Sequence, residues 1–260
     1  MPRFSANLGY LWTHLPLLER FDAAARAGFR AVELHWPYEV PASDFAQAIA
    51  RNRLTLLGIN TGPGDPAAGG RGMGAVPGRE REFQATIDQA IAYCRAAGGS
   101  AIHAMAGMVA PEDRELARAT FAENLREAAP KAAAAGLTLL LEPLNPYDNP
   151  GYFYSLLADA FSLIDELELP NLKLQFDVYH VARTEGDVLV KLERYHPYIG
   201  NVQIAGVPDR AEPDGGEIAY RAVFAALDRL EYNGWVACEY RPRKDTDSGL
   251  AWMPRLGVSL

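Results

Sequence analysis

The sequence predicts a single (β/α)8 TIM barrel over residues 1–260, and three observations carry that prediction. Eight short apolar runs alternate with longer segments of helical period, which is the arithmetic of such a barrel. The chain has 260 residues, 49% hydrophobic and 22% charged, enough to bury one large core without staples. An open doubly wound sheet, the main competitor, would place a Gly-rich phosphate turn after its first strand. Leu8-Gly9-Tyr10-Leu11-Trp12 contains no GxGxxG.

In chain order, the first strand is expected at Phe4–Leu8, followed by a helix over Leu15–Ala27 that Pro16 opens and Gly28 closes in the left-handed C′ position. Ala31–His35 and Leu54–Asn60 read as the second and third strands. The stretch Gly62–Gly78 then holds seven glycines and three prolines. It begins where the third strand ends, so it is either a surface loop or a lid over the catalytic face. Arg71, between glycines, is its one fixed positive charge able to hold an anionic substrate group. A helix over Phe83–Ala97, closed by Gly98, leads to the fourth strand, Ala101–Met105. Pro111 suits a first helical turn before Leu116–Ala135, which Gly136 closes; Pro130 inside it implies a kink or an early stop. Strands at Leu137–Glu142, Leu172–Asp177 and Ile199–Ile204, a helix at Ala222–Leu230 and a last strand at Trp235–Glu239 complete the set.

The net charge of −8, from 33 acids against 25 bases, disfavours nucleic acid as a partner, because phosphate neutralisation needs a basic surface. No 18 apolar residues run together and no charged start precedes an apolar stretch, so neither a membrane span nor secretion is expected. Cys94 and Cys238 are too few for a disulfide framework and neither lies in a CxxC pair, which points to a reducing, cytoplasmic compartment.

Four expected strands of the second half end on side chains that bind hard cations: Glu142, Asp177, Gln203 and Glu239. Their separations of 35, 26 and 36 residues each fit one βα unit, so they should meet at one side of the barrel top. Parity is an independent check, since side chains alternate between the lumen and the helix-facing side. Leu172, Leu174 and Phe176 oppose Lys173, Gln175 and Asp177, and the other three strands place their candidates likewise away from the apolar face. Three carboxylates aimed at one small volume repel each other, and a divalent ion resolves the conflict. A set of carboxylates and one amide suits Mg²⁺ or Mn²⁺ better than zinc.

At these residues the chain resembles a known family. Glu142-Pro143, Asp177-Val178-Tyr179-His180, Val202-Gln203-Ile204-Ala205, the run Pro208–Tyr220 and Trp235–Pro242 are similar to the hydroxypyruvate isomerase family, part of the xylose-isomerase-like barrels. The likeness extends to FSANLGYLWT, AGFRAVELHWPY and the Gly-rich loop with its closing VPGRE, nearly the whole chain. Within the family, VQIAGVPDRAEPDGGEIAY and CEYRPR are most similar to the 2-oxotetronate isomerases. The resemblance implies Glu142, Asp177, Gln203 and Glu239 as metal ligands, with Glu142 and Glu239 also as proton donor and acceptor. It implies a small hydroxy-keto acid as substrate. The chemistry fits those residue types. Moving a carbonyl by one carbon means taking a proton from a CH2OH carbon and returning one to its neighbour through an enediolate, which needs a stabilised oxyanion and closely held carboxylates.

His180, in the loop after the sixth strand, and His103, ending the fourth, are expected to contact substrate together with Arg71. His35 is a weaker candidate of the same kind. Glu212 and Glu217 read as capping or solvated acids, and Arg241 either binds an anion or pairs with an acid. Tyr10, Trp12, Trp36 and Tyr38 either wall the pocket or plug the core. Three other readings stay open: a sugar 3-epimerase, whose enzymes usually place a histidine where this chain has Gln203; a zinc-cluster nuclease, for which five scattered histidines are few; and a barrel that only binds its ligand. The sequence leaves open whether the chain forms a homo-oligomer.

Overall fold

In the computed structural model, which describes residues 1–65 and 70–260, eight parallel strands close into a barrel in chain order. They are β1 (Arg3–Asn7), β2 (Ala31–Leu34), β3 (Thr55–Asn60), β4 (Ala101–His103), β5 (Thr138–Leu141), β6 (Leu172–Asp177), β7 (Ile199–Ile204) and β8 (Trp235–Cys238). Closure is made by β8 on β1, with Arg3, Phe4, Ser5 and Ala6 opposite Trp235, Val236, Ala237 and Cys238. Five strands stop one or two residues short of the expected end, so Glu142 and Glu239 are each the first residue past the ladder. There the backbone leaves the sheet, which lets the side chain turn over the barrel top.

Helices α1 (Leu17–Ala27), α2 (Ala42–Arg51), α3 (Glu80–Ala97), α4 (Arg114–Ala134), α5 (Leu157–Leu167), α6 (Val178–Thr184), α7 (Val188–Tyr195) and α8 (Tyr220–Arg229) follow the strands, and α9 (Thr246–Gly249) and α10 (Trp252–Leu256) end the chain. Gly28 and Gly98 close α1 and α3 in the left-handed conformation, as expected. Pro130 does not stop its helix: α4 runs on to Ala134. One lost N–H bond is outweighed there by the burial of Ala128, Ala129 and Ala132 on either side of the proline.

The apolar core lies between sheet and helices, built on residues such as Phe4, Phe21, Phe45, Phe83, Phe121 and Trp252. The lumen is polar. Ser5, Asn7, Glu33, His103, Gln175, Asn201 and Gln203 are all buried on the inward parity. Beneath the barrel top all of these side chains but Ser5 line a bore of about 330 Å³ that ends among Arg3, Asn233 and Trp235 at the N-terminal side.

Part of the Gly-rich stretch is pinned. The Gly74 and Ala75 amides donate to the Met105 and Ala106 carbonyls at 3.0 and 2.6 Å, and Asn124 Nδ2 donates to the Gly74 carbonyl at 2.7 Å. Gly72 is required: its φ is +97° and a Cβ there would lie 2.3 Å from that of Met105. Residues 66–69 of the expected lid lie outside the described residues. Among the described residues, no helix is long and apolar enough to cross a membrane.

Candidate active site at the barrel mouth

The four side chains at the ends of β5 to β8 are all buried, between 2% and 5% exposed. Strand parity is the cause: each follows an alternation whose other face is buried under helices. They do not share one environment. Glu239 accepts from Asn7 Nδ2 at 3.1 Å and His35 Nε2 at 2.8 Å on Oε1, and from Arg210 Nη2 at 2.7 Å on Oε2. Glu142 accepts from Gln175 Nε2 at 2.6 Å, and faces His103 Nδ1 at 3.2 Å and His180 Nε2 at 3.8 Å. Asp177 caps α6 through the Tyr179 amide at 2.8 Å and presents its other oxygen to Arg210 at 3.4 Å and His180 at 3.5 Å.

These settings push the protonation states apart. Burial, reinforced by the charges of Glu239 and Asp177, holds the Glu142 carboxyl well above the usual range. Burial also moves Asp177 up to about 7, with Arg210 opposing and Glu239 adding. Burial would raise Glu239 too, but Arg210 and the hydrogen bond from His35 outweigh it and hold that carboxyl at about 2. His103 is lowered to about 3 by burial, and His180 well below its ordinary value by burial and Arg210.

The tautomer of His180 follows from its partners. Its Nδ1 lies 3.0 Å from the Asn145 amide nitrogen, an obligatory donor, so the neutral ring carries its proton on Nε2. That N–H faces Glu142 and Asp177. The three residues bring ligand atoms within 4.8 Å of one another, but a protonated Nε2 donates a hydrogen bond rather than ligating.

A cavity of about 60 Å³ opens above these groups. The three residues expected to touch substrate, Arg71, His103 and His180, all line it, with Tyr10, His35 and Trp36 among its walls. Trp12 and Tyr38 do not: the Trp12 indole is buried and donates to Asp247, and Tyr38 bonds the Asn60 carbonyl and packs on Tyr93. Glu212 is buried and accepts from the Arg243 amide, and Glu217 is exposed, so neither belongs to the site. Arg241 is exposed, with its guanidinium 5.9 Å from the Tyr10 ring. His35 reaches Glu239 because residue 9 is glycine; a Cβ there would lie 2.3 Å from His35 Nδ1.

Two site residues were not foreseen. Arg210 is 8% exposed, sits between the Tyr10 and Tyr179 rings at 4.8 and 4.9 Å, and supplies the counter-charge of Asp177 and Glu239. It lies in a loop with φ +56°, a conformation costly for a non-glycine residue and found where geometry at a site demands it. No periodicity points to it. Glu33 accepts three amide N–H bonds, from Asn7, Asn201 and Gln203. Its signal was available, since Glu33 opposes Val32 and Leu34 just as Asp177 opposes Phe176.

The donor set suits a divalent cation. Glu142 and Asp177 bring carboxylate oxygens within 4.8 Å of each other, Glu239 shares the Arg210 guanidinium with Asp177, and Gln203 Oε1 is buried with no hydrogen-bond partner while its Nε2 is bound. An orphaned amide oxygen on the strand beside Asp177 is what a hard cation would satisfy.

Residues 21–256 match the family model described as the xylose isomerase-like TIM barrel. The 2-oxo-tetronate isomerase of Cupriavidus necator is 49% identical over 259 residues, 99% of this chain and 100% of its own. The hydroxypyruvate isomerase of Escherichia coli is 41% identical across 97% of this chain and 98% of its own. A crystal structure from Brucella melitensis, titled AP endonuclease, family 2, is 44% identical and superposes with a TM-score of 0.95, covering 98% of this chain and 99% of that one.

Proposed function

Because the chain belongs to the xylose isomerase-like TIM barrel family, and within it to the group of hydroxypyruvate and 2-oxo-tetronate isomerases, we propose that it is a metal-dependent isomerase of a short hydroxy-keto acid. It would interconvert hydroxypyruvate and tartronate semialdehyde, or move the carbonyl of the homologous 2-oxotetronate. The observation that carries this reading is the pair Glu142 and Glu239: two buried glutamates that line one small mouth, Glu142 facing His103 and His180 and Glu239 held by Arg210 and His35.

Glu142, Asp177, Gln203 and Glu239 would hold Mg²⁺ or Mn²⁺. When bound, the ion supplies Lewis-acid stabilisation of the oxyanion that develops as the proton leaves carbon. One glutamate takes the proton from the CH2OH carbon at a carboxylate oxygen, the hydroxyl proton of that carbon passes to the former carbonyl oxygen, and the other glutamate returns a proton to the adjacent carbon. His180 donates its Nε2–H to a substrate oxygen, and His103 lines the same wall as a neutral ring. Arg71 and Arg210 hold the substrate carboxylate. Tyr10, Trp36 and Leu144 keep water from the reacting carbons.

The small mouth favours a short acid over a six-carbon sugar, which weighs against the 3-epimerase, as does Gln203 in place of a histidine. A nuclease would need an open basic groove; the net charge of −8 and the small size of the mouth oppose one. The test is a panel of hydroxypyruvate, 2-oxotetronate and ketohexoses with the Mn²⁺-loaded protein, following deuterium uptake from solvent beside the carbonyl. Uptake into an acid substrate is expected; uptake into a ketohexose alone would overturn the reading.

A further inference from the structure

Glu33 stands outside the four-ligand set, on β2, and is 4% exposed. Its Oε1 accepts from Asn7 Nδ2 at 2.9 Å and Gln203 Nε2 at 2.6 Å, and its Oε2 from Asn201 Nδ2 at 2.8 Å. A carboxylate offers acceptors only, so every side-chain amide that faces it must turn its nitrogen inward and its oxygen away. At Gln203 the consequence is the buried, unpartnered Oε1. At Asn7, Nδ2 is shared between Glu33 and Glu239 Oε1, while Oδ1 accepts the Gly9 amide at 2.9 Å. Glu33 thus sets two groups of the mouth at once. We propose that Glu33 is a positioning residue, a clamp on strand β2 that fixes the Gln203 amide with its oxygen toward the cation site and the Asn7 amide as a donor to Glu239. The inference rests on the metal-dependent reading above.

The clamp sits at the head of the 330 Å³ bore, whose walls also include Asn7, Asn201 and Gln203. Glu33→Gln offers a donor as well as an acceptor in nearly the same volume. Gln203 can then turn over and present nitrogen, which cannot ligate a cation.

Mn²⁺ titration followed by electron paramagnetic resonance reads the effect apart from turnover. Glu33→Gln should weaken Mn²⁺ binding about ten- to a hundredfold, as loss of a partner behind a metal ligand does. Glu33→Asp, which keeps the acceptor-only chemistry, should lose less. In a Gln203→Ala background Glu33→Gln should lose clearly less than in the wild type, only what passes through Asn7 to Glu239. Equal losses in both backgrounds, or none in the wild type, would overturn the clamp. A wild-type protein that binds no Mn²⁺ would instead sink the metal reading. The orientation itself is then decided by neutron diffraction on the metal-free wild type, which needs neither a variant nor an ion. Deuterons on Gln203 Nε2 pointing at Glu33 support the proposal, and a reversed amide overturns it.

Discussion

Glu142 and Glu239 are the same residue type at equivalent places, one residue past the ladders of β5 and β8, yet the two sides of the mouth treat them oppositely. On the β8 side a guanidinium, an imidazole and an amide converge on Glu239. On the β5 side Glu142 has one amide and two histidines that burial keeps neutral. Burial is common to both and disfavours charge in both. The difference is therefore made by partners, above all by Arg210, and one mouth holds one glutamate above and the other below the usual carboxylate range.

The largest expected effect comes from removing either member. Glu239→Gln and Glu142→Gln should each lower kcat by about a hundred- to ten-thousandfold, the usual worth of a positioned acid or base, with an unchanged circular dichroism spectrum. Full turnover in either variant would remove that glutamate from the chemistry. Arg210→Met should erase the contrast by leaving Glu239 and Asp177 without their cation. In EDTA it should cost about 3 kcal/mol in urea unfolding, as breaking a buried pair does. Mn²⁺ should recover much of that loss, and an unaltered midpoint in EDTA would show that Arg210 does not carry the counter-charge.

The contrast also predicts a pH dependence of the metal-free protein. Glu142 and Asp177 are raised above their unfolded values, so at neutral pH the native state keeps protons the unfolded chain has lost, and stability falls as pH rises. His103 and His180 are lowered and act the other way, but only below the unfolded value of 6.5. Glu239, depressed, contributes a constant amount across this range. Between about pH 6.5 and about pH 8 the raised acids act alone, so the melting temperature in EDTA should drop. Excess Mn²⁺ should reverse the slope, because ligands bind it deprotonated. A flat profile in EDTA would contradict the raised carboxyls. The smallest effect belongs to Gly9→Ala, which crowds His35 off Glu239 and should lower kcat/KM by about tenfold, near the worth of one hydrogen bond to a charged group. His35→Asn in that background should add little; full additivity would separate the glycine from the histidine.

Much of the mouth was legible before folding because inward and outward are local properties of a strand. The alternation around Asp177 or Gln203 says which way each points whatever the other strands do. The same reading reaches Glu33, between Val32 and Leu34, but a lone acid in a four-residue strand has no neighbour in sequence to suggest a use for it. Arg210 was beyond reach. It lies in a loop without period, and a left-handed backbone turn, not a pattern, carries it between two carboxylates. His180 falls between these cases: its place near Asp177 is local, while its tautomer depends on Asn145, 35 residues earlier.

The sequence by itself determined the barrel, its eight strands in order and the inward side of the last four, because apolar periodicity acts over a few residues. Only the closed tertiary structure decided which donor meets which carboxylate. Asn7, Glu33, Gln203 and Glu239 come from parts of the chain that closure brings together, and the partners assembled there shift the two glutamates of the mouth in opposite directions.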